Sequence, residues 1–446
     1  MSQETSFIDP FVAGFRQSAP YIHAHRGRTF VVYLGGEAVA DPGFAHLLGD
    51  IALLAGLGVR LVLVAGARPQ IEARCRTAGV EPRYVDGLRV TDVRSLECVK
   101  AAAGVIRVEI ESILSAGLPG SPLAGANLRV TSGNFVTAQP IGVVGGVDFQ
   151  HTGRVRRVDA QAIRGQLDTG AVVLLSLLGY SPSGEVFNLR AEEVAAQTSI
   201  ALGAHKLIAL VDAAGLHDAD GRLRRQLLTS QAEKLIAASP PADPAVATAA
   251  RALSEAARGG VARCHLIDRR VDGALLRELF TRDGIGTLIA SDPFDVTRQA
   301  RIDDIGGILA LIEPLEQGGV LVRRSREQLE TEIDRFQVIE RDGMVIACAA
   351  LYPFADARTA ELACLAVHPS YRGSDRGEQL LRHVESIADA FASEIFVLTT
   401  QSAHWFIEHG FREVGVDHLP IARKAMYNWQ RNSKVLVKPL APNTIA

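Results

Sequence analysis

The sequence predicts an α/β protein in two successive parts. A mainly parallel open sheet sandwiched by helices comes first, and a smaller mixed α/β domain follows. Three observations carry this. From Phe30 to about Ala290, short apolar β-forming runs alternate with segments of helical period, as βαβ units do. Residues Ala290–Thr297, "ASDPFDVT", are a polar, proline-containing break. Beyond it the order becomes strand, helix, hairpin, strand, helix, strand. A length of 446 residues also exceeds one ordinary domain.

The elements follow in order. "FIDPFVAGFRQSAPYI" reads as an N-terminal helix whose apolar face is larger than a free arm needs. Strands are expected at Phe30–Leu34, Arg60–Ala65, Ala171–Leu178, Leu207–Val211 and Cys264–Ile267. Helices are expected at Phe44–Leu57 and Glu192–Gly203, and Ser239–Ala252 reads as a loop running into a helix. "NFVTAQPIGVVGGVDFQHTGRVRRVD" interrupts the alternation with short period-2 runs and glycines, the pattern of a hairpin over one edge. After the break, "VTRQARIDDIGGILALIEPL" is a strand entering a helix. "RFQVIERDGMVIACAALYPF" is a hairpin on an Asp-Gly turn. "TAELACLAVHP", "GEQLLRHVESIADAFA" and "EIFVLTT" are strand, helix and strand. The expected boundaries are a helical arm at 1–25, the first domain at 26–290, a linker at 291–298 and the second domain at 299–446.

Composition narrows the function. A net charge of −3 argues against a general nucleic-acid binder. No run approaches the ~18 uncharged apolar residues of a membrane helix, and "MSQETSFIDPFVAGFRQ" lacks the basic and apolar regions of a signal peptide. The five cysteines are odd in number and show no C-x-x-C spacing, so they read as reduced core residues. A cytoplasmic protein that needs no metal and contacts neither nucleic acid nor membrane is expected.

Two stretches look like phosphate sites. "FVVYLGGEAV" runs a strand into Gly35-Gly36, yet it offers Tyr33 and Glu37 where a phosphate needs a cation. "LAVHPSYRGSDRGEQLL" places a strand, a short Arg/Gly/Ser loop and a helix in succession. The backbone N–H groups of Gly373, Ser374, Arg376, Gly377 and Glu378 would face a pyrophosphate there, with Arg372 and Arg376 adding charge.

With its strand order, this second stretch resembles the GCN5-related acetyltransferases, whose acetyl-CoA loop reads Arg/Gln-x-x-Gly-x-Gly/Ala. Arg372 and Gly377 match, while Asp375 replaces the first glycine and should point to solvent. The resemblance implies acetyl-CoA as cosubstrate and a fourth strand that splays from the fifth. It also implies backbone contacts from Cys364, Leu365 and Val367 to the acetyl and pantetheine portions. Glu361, at the start of that strand, becomes the expected base for deprotonating an acceptor amine. The helix after the fifth strand, which often supplies a tyrosine as acid, has Phe406 instead. Thr399, Thr400 and Ser402 are the nearby hydroxyls, and no acid is assigned. Most charges of "RRSREQLETEIDRF" read as a solvated helix face over Leu329, Ile333 and Phe336. Arg324 is the exception, and with Arg431 and Ser433 it forms a set suited to a dicarboxylic amino acid.

The first part, through "LVLVAGARPQIEARC", "DGLRVTD" and "FNLRAEEVAAQTSIALGAHKLIALVD", resembles the amino-acid kinase family. The departures concern charge. Tyr33 stands at the phosphate-binding lysine, Ala65-Gly66-Ala67-Arg68 replaces a glycine run, Glu192 replaces an aspartate, and Ala245–Arg258 contains no lysine. Phosphoryl transfer depends on such cations, so the fold is expected to persist without the kinase reaction.

A kinase-like part fused to an acetyltransferase is similar to the two-domain bacterial N-acetylglutamate synthases. The resemblance implies transfer of acetyl from acetyl-CoA to L-glutamate, the first step of arginine biosynthesis, with feedback inhibition by L-arginine. The matching effector positions are Tyr21, His265, Glu278 and Gly284, and the N-terminal helix would interlock subunits as a homohexamer. Two other readings remain open: a working kinase carrying an acetyl-CoA sensor, and a binding protein without chemistry.

Overall fold

Long apolar runs buried on both faces build the first sheet. Thr29–Leu34 and Arg60–Ala65 are each buried over their last five residues, as expected of strands covered by helices above and below. The computed structural model describes residues 9–116, 124–126, 128–281, 284–292, 295–341, 344–372 and 375–440. The chain divides into two compact units, Met1–Asp292 and Pro293–Ala446.

In the first unit, eight strands are ordered Gln226–Leu228, Thr287–Ala290, Arg263–Asp268, Lys206–Val211, Thr29–Leu34, Arg60–Ala65, Val172–Ser176 and Val130–Thr131. All neighbours are parallel except Arg263–Asp268 with Thr287–Ala290. Helices Phe44–Gly56, Val93–Leu114, Ala191–Leu202 and Pro244–Arg258 bury their apolar faces in the same core. The expected strand Ala171–Leu178 is in fact two. Val172–Ser176 stays in the large sheet, and Leu178–Tyr180 joins a four-stranded sheet with Val186–Asn188, Val136–Pro140 and Gly153–Val158. The Ser176 hydroxyl accepts the Leu178 N–H at 3.2 Å and turns the chain between them. Gly179 allows the new strand to pack, because a Cβ there would lie 2.7 Å from that of Ala138.

The helix Pro10–His25 begins at Asp9, whose carboxylate accepts the Phe11 N–H at 2.8 Å. Its second half docks on the first unit, with the His25 Nε2 2.9 Å from the Leu279 carbonyl. Its first half carries Phe11 and Phe15, 78% and 63% exposed with ring centroids 6.2 Å apart. All five cysteines are buried and unpaired.

The second unit is a seven-stranded sheet ordered Val296–Gln299, Phe336–Arg341, Met344–Phe354, Thr359–Val367, Glu394–Thr399, Lys434–Pro439 and Arg412–Val414. Only Thr359–Val367 and Glu394–Thr399 pair in parallel. Helix Arg376–Ala388 packs on one face and Ile305–Gln317 on the other. Val296–Gln299 is already an edge strand against Phe336–Arg341, so the end of the expected linker belongs to this sheet, drawn in by the β-forming Val296 and Thr297. The helix after Arg324 is short, Arg326–Glu332, and Phe336 opens a strand.

Candidate active site and effector site

The cleft of the second unit is made by a strand that loses one neighbour. Thr359–Val367 pairs with Glu394–Thr399 only from Thr359 to Leu362. Opposite Met344–Phe354 its register slips at Cys348/Ala350, so Cys364 and Leu365 together face Ala349. Cys364 takes φ +54° to make this bulge. A bulge reverses the side-chain alternation. Ala360 and Leu362 pack beneath helix Arg376–Ala388, as do Leu365 and Val367, whereas Cys364 and Ala366 turn to the opposite core. Residues 363–367 therefore line the widening gap with main-chain groups that have no strand partner on that side. Cys364, Leu365 and Val367 lie there, although the Val367 carbonyl already accepts from the Arg372 Nε at 3.1 Å.

At the loop into helix Arg376–Ala388, Gly373 and Ser374 lie outside the described residues. The first helical bond runs from the Gln379 N–H to the Asp375 carbonyl at 2.7 Å, so the N–H groups of Arg376, Gly377 and Glu378 precede the helical ladder. Asp375 is exposed, as its solvent-facing role requires. The Arg376 side chain departs from the expected charge contact. Its Nε pairs with Asp295 at 2.8 Å, and its guanidinium sits 5.2 Å from the Tyr371 ring centroid. Arg376 can thus offer its N–H to an anion, while its charge is committed to Asp295. The Glu378 carboxylate pairs with Arg382 at 3.3 Å. Gly377 sits in close packing, since a Cβ would come 3.3 Å from the Trp405 ring.

Glu361 is 8% exposed on the paired half of the strand. Arg423 forks onto it, Nε to Oε2 at 2.5 Å and Nη2 to Oε1 at 3.0 Å. The sequence reading missed Arg423. The available signal was Glu361 itself, because a carboxylate inside an apolar strand needs a buried partner. Arg324 and Arg431 meet at one segment: Arg431 Nη2 donates to the Val320 carbonyl, and Arg324 Nη1 to the Val322 carbonyl at 3.2 Å. The Arg324 Nε is buried with no hydrogen-bond partner among the described residues. Nearby, the Tyr352 hydroxyl donates to Glu332 at 2.6 Å. Burial would lower the Arg324 pKa, but the Cys364, Tyr352 and Glu332 groups together raise it. Ser433 is buried, and its carbonyl accepts from the Tyr427 hydroxyl at 2.6 Å. Phe406 packs edge-on against Phe411 at 5.2 Å and has no acid to offer. The Thr399 hydroxyl is occupied by the Ser402 N–H at 2.9 Å.

In the first unit, His265 and Glu278 form a buried pair, Nδ1 to Oε1 at 2.7 Å. The other Glu278 oxygen accepts the N–H groups of Ile285 at 2.6 Å and Gly286 at 3.0 Å. Burial alone would push the Glu278 pKa up. The hydrogen bond and charge of His265 and these two N–H groups outweigh it and hold the carboxyl at about 2. Burial and the Lys206 charge pull His265 down against the pull of Glu278. Gly284 has φ +57°, and a Cβ there would lie 2.4 Å from Glu278 Oε2. Tyr21 lies beside His25, 6.5 Å between rings, on the helix that docks against Leu279. Lys206, absent from the sequence reading, approaches His265 Nε2 at 3.5 Å. As the polar first residue of an apolar strand it carried no local mark of that role.

At the kinase-like turn, a Cβ on Gly36 would meet Gln70 Oε1 and Pro69 Cδ at 2.7 Å, and the Gln70 amide donates to the Gly36 carbonyl at 2.7 Å. That close packing explains the glycine without invoking a ligand.

Comparison with known proteins agrees with both motif sets. The amino acid kinase family model matches residues 28–268, and the acetyltransferase (GNAT) domain model matches residues 332–413. The amino-acid acetyltransferase of Pseudomonas putida is 53% identical over 432 residues, covering 96% of this chain and 99% of that one. That of Edwardsiella ictaluri is 53% identical over 433 residues, covering 96% and 98%. The N-acetylglutamate synthase of Neisseria gonorrhoeae, solved with coenzyme A and L-arginine, superposes with a TM-score of 0.89 at 40% identity, covering 97% of this chain and all of that one. Its complex with coenzyme A and N-acetyl-glutamate gives 0.62 at the same identity and coverage. The chain belongs to the amino-acid acetyltransferase family, with an amino acid kinase domain followed by a GNAT domain, and is an acyltransferase that uses acetyl-CoA.

Proposed function

We propose that the chain transfers acetyl from acetyl-CoA to L-glutamate, giving N-acetyl-L-glutamate and CoA, and that L-arginine bound to the first unit inhibits it. The observation that supports the reading is the bulge at Cys364, beyond which the strand carrying Glu361 loses its parallel neighbour, together with Arg324 and Arg431 donating to the Val322 and Val320 carbonyls of one segment. Arginine side chains on that segment suit an acceptor that carries carboxylate. The gonococcal synthase, crystallised with coenzyme A and with either L-arginine or N-acetyl-glutamate, supports it by likeness.

In this mechanism the pyrophosphate of acetyl-CoA takes the N–H groups at the start of helix Arg376–Ala388, with those of Gly373 and Ser374 and the Arg372 side chain. The thioester lies along Cys364, Leu365 and Val367. Glu361 accepts a proton from the glutamate ammonium, directly or through a water. The neutral nitrogen attacks the thioester carbon, the C–S bond breaks, and the second amine proton is lost. One of the two protons returns to the thiolate and the other leaves to solvent. Arg324, Arg431 and Ser433 hold carboxylate. The five cysteines are buried, and burial pushes Cys364 up to about 11. An acetyl-cysteine intermediate is therefore disfavoured, since the thiolate is the nucleophile.

For the effector, Glu278 pairs with the guanidinium after exchanging one of its present partners, His265 and Gly284 shape the pocket, and Tyr21 covers it. The exposed Phe11 and Phe15 are the surface through which copies of the chain would assemble into the hexamer.

The test is release of free thiol from acetyl-CoA across the amino acids, with and without arginine. Release confined to glutamate and suppressed by arginine supports the reading. Release with another amino acid, or none with glutamate, contradicts it.

A further inference from the structure

The strongest unassigned feature is the partner held by the proposed base. Both Glu361 oxygens are taken by the Arg423 fork, and the two side chains are only 10% and 20% exposed. An incoming ammonium would meet a carboxylate each of whose oxygens already accepts one guanidinium N–H. It would also bring a second positive charge beside Arg423, with little water to screen it.

We propose that the Arg423–Glu361 ion pair is a template for the zwitterion of an α-amino acid, and that only an acceptor with a carboxylate next to its amino group frees Glu361 to act as base. Such an acceptor carries the complementary pair of charges on one carbon. Its carboxylate takes the Arg423 fork, its ammonium takes Glu361, and two ion pairs replace one without change in the net charge of the site. An amine without the adjacent carboxylate has nothing to exchange with Arg423. Discrimination then comes from a repulsive element as much as from an attractive one.

The surroundings of Arg423 fit a side chain that exchanges partners. It lies on the helix Ile421–Ala425, which buries none of its residues. The segment is anchored on either side by Leu419 and Tyr427, 5% and 6% exposed. Among the described residues the other guanidinium bond is local, Nη1 to the Met426 carbonyl at 3.4 Å. Rotation of Arg423 toward a carboxylate therefore leaves the core undisturbed. With Arg423 on the α-carboxylate, Arg324 and Arg431 are left for the side-chain carboxylate, which is the selection a dicarboxylic acceptor needs.

The inference rests on the reading of Glu361 as base and glutamate as acceptor. Its test compares L-glutamate with 4-aminobutyrate, which keeps the side-chain carboxylate and the amine but lacks the α-carboxylate. Wild-type enzyme should prefer glutamate by about 1000-fold in kcat/KM. In Arg423→Gln the glutamate value should fall about 100-fold while that for 4-aminobutyrate holds or rises, so the ratio collapses. Arg423→Lys, which keeps the charge without the fork, should lie between and decides the matter if the glutamine variant does not fold. Equal losses for both substrates, with the ratio kept, would mean that Arg423 only supports the fold and would overturn the proposal. So would a wild-type enzyme that uses 4-aminobutyrate as well as glutamate. If the wild type instead uses a different amino acid, the glutamate reading fails separately, and the same ratio, measured on that amino acid and its decarboxylated counterpart, still decides the role of Arg423.

Discussion

The Tyr33 hydroxyl donates a hydrogen bond to Glu192 Oε1 at 2.8 Å, joining the first strand to the start of helix Ala191–Leu202. In this family's kinases these places hold a phosphate-binding lysine and its acidic organiser, as the sequence resemblance implies. Here burial and the neighbouring Glu192 raise the tyrosine well above its ordinary value, so it remains a neutral donor. A neutral hydroxyl cannot spread the charge of a transferring phosphoryl group. Incubation with N-acetyl-L-glutamate and ATP should therefore give no ADP, and its formation would revive a working kinase. Tyr33→Phe should lower the stability of the first unit by about 1–3 kcal/mol, read from its denaturation midpoint, because it leaves Glu192 without that donor.

Acid should loosen the buried His265–Glu278 pair in two stages. The unfolded chain protonates His265 near its usual value and the folded chain below it, so stability falls as the pH drops below about 6.5. Glu278, depressed from 4.5 to about 2, contributes stability that is present above about 4.5 and is lost as the pH falls toward 2. Thermal midpoints measured from pH 7 downward should decline, more steeply below 4.5. Glu278→Gln should remove the steeper part, and an unchanged slope would show that this carboxylate does not govern it.

Arginine sensitivity should follow the same residue. Glu278→Ala should raise the arginine concentration for half-inhibition at least about tenfold, the loss of one charge-assisted pair. Unchanged inhibition would discard the proposed effector site.

Gly377 and Arg376 are adjacent in sequence and should fail differently. Gly377→Ala pushes a methyl toward Trp405 and should raise the KM for acetyl-CoA about tenfold, through displacement of the helix start by a few tenths of an ångström. Arg376→Ala removes an ion pair to Asp295 and a stacked contact with Tyr371. Arg341 stays near Asp295 at 3.4 Å, so the loss should be about 1–2 kcal/mol of second-unit stability. A large acetyl-CoA KM effect from Arg376→Ala, with stability unchanged, would return its side chain to the pyrophosphate.

The sequence exposes what is periodic or local and conceals what depends on distant partners. Phe30–Leu34 and Arg60–Ala65 were legible because five successive buried residues leave only a two-faced strand. Ala171–Leu178 read as one strand because a Ser176 side-chain bond that bends the chain looks like any serine in an apolar run. The bulge at Cys364 hid for the same reason: the slip lies in the pairing with Ala349, and period-2 reasoning carried straight through it. Glu361, Arg324 and Arg431 were singled out as candidates, but Arg423, 62 residues beyond Glu361, was invisible until the fold set them together. Arg376 looked like a phosphate ligand because Asp295, 81 residues before it, lies in what reads as linker.

The most direct test of the account is turnover of acetyl-CoA and L-glutamate by Glu361→Gln across pH, followed by thiol release. A loss of about 100-fold or more in kcat is expected at neutral pH, the usual contribution of a positioned general base. Partial recovery is expected at high pH, where the amine loses its proton without help. Near-normal turnover at every pH would remove Glu361 from the mechanism and contradict the account.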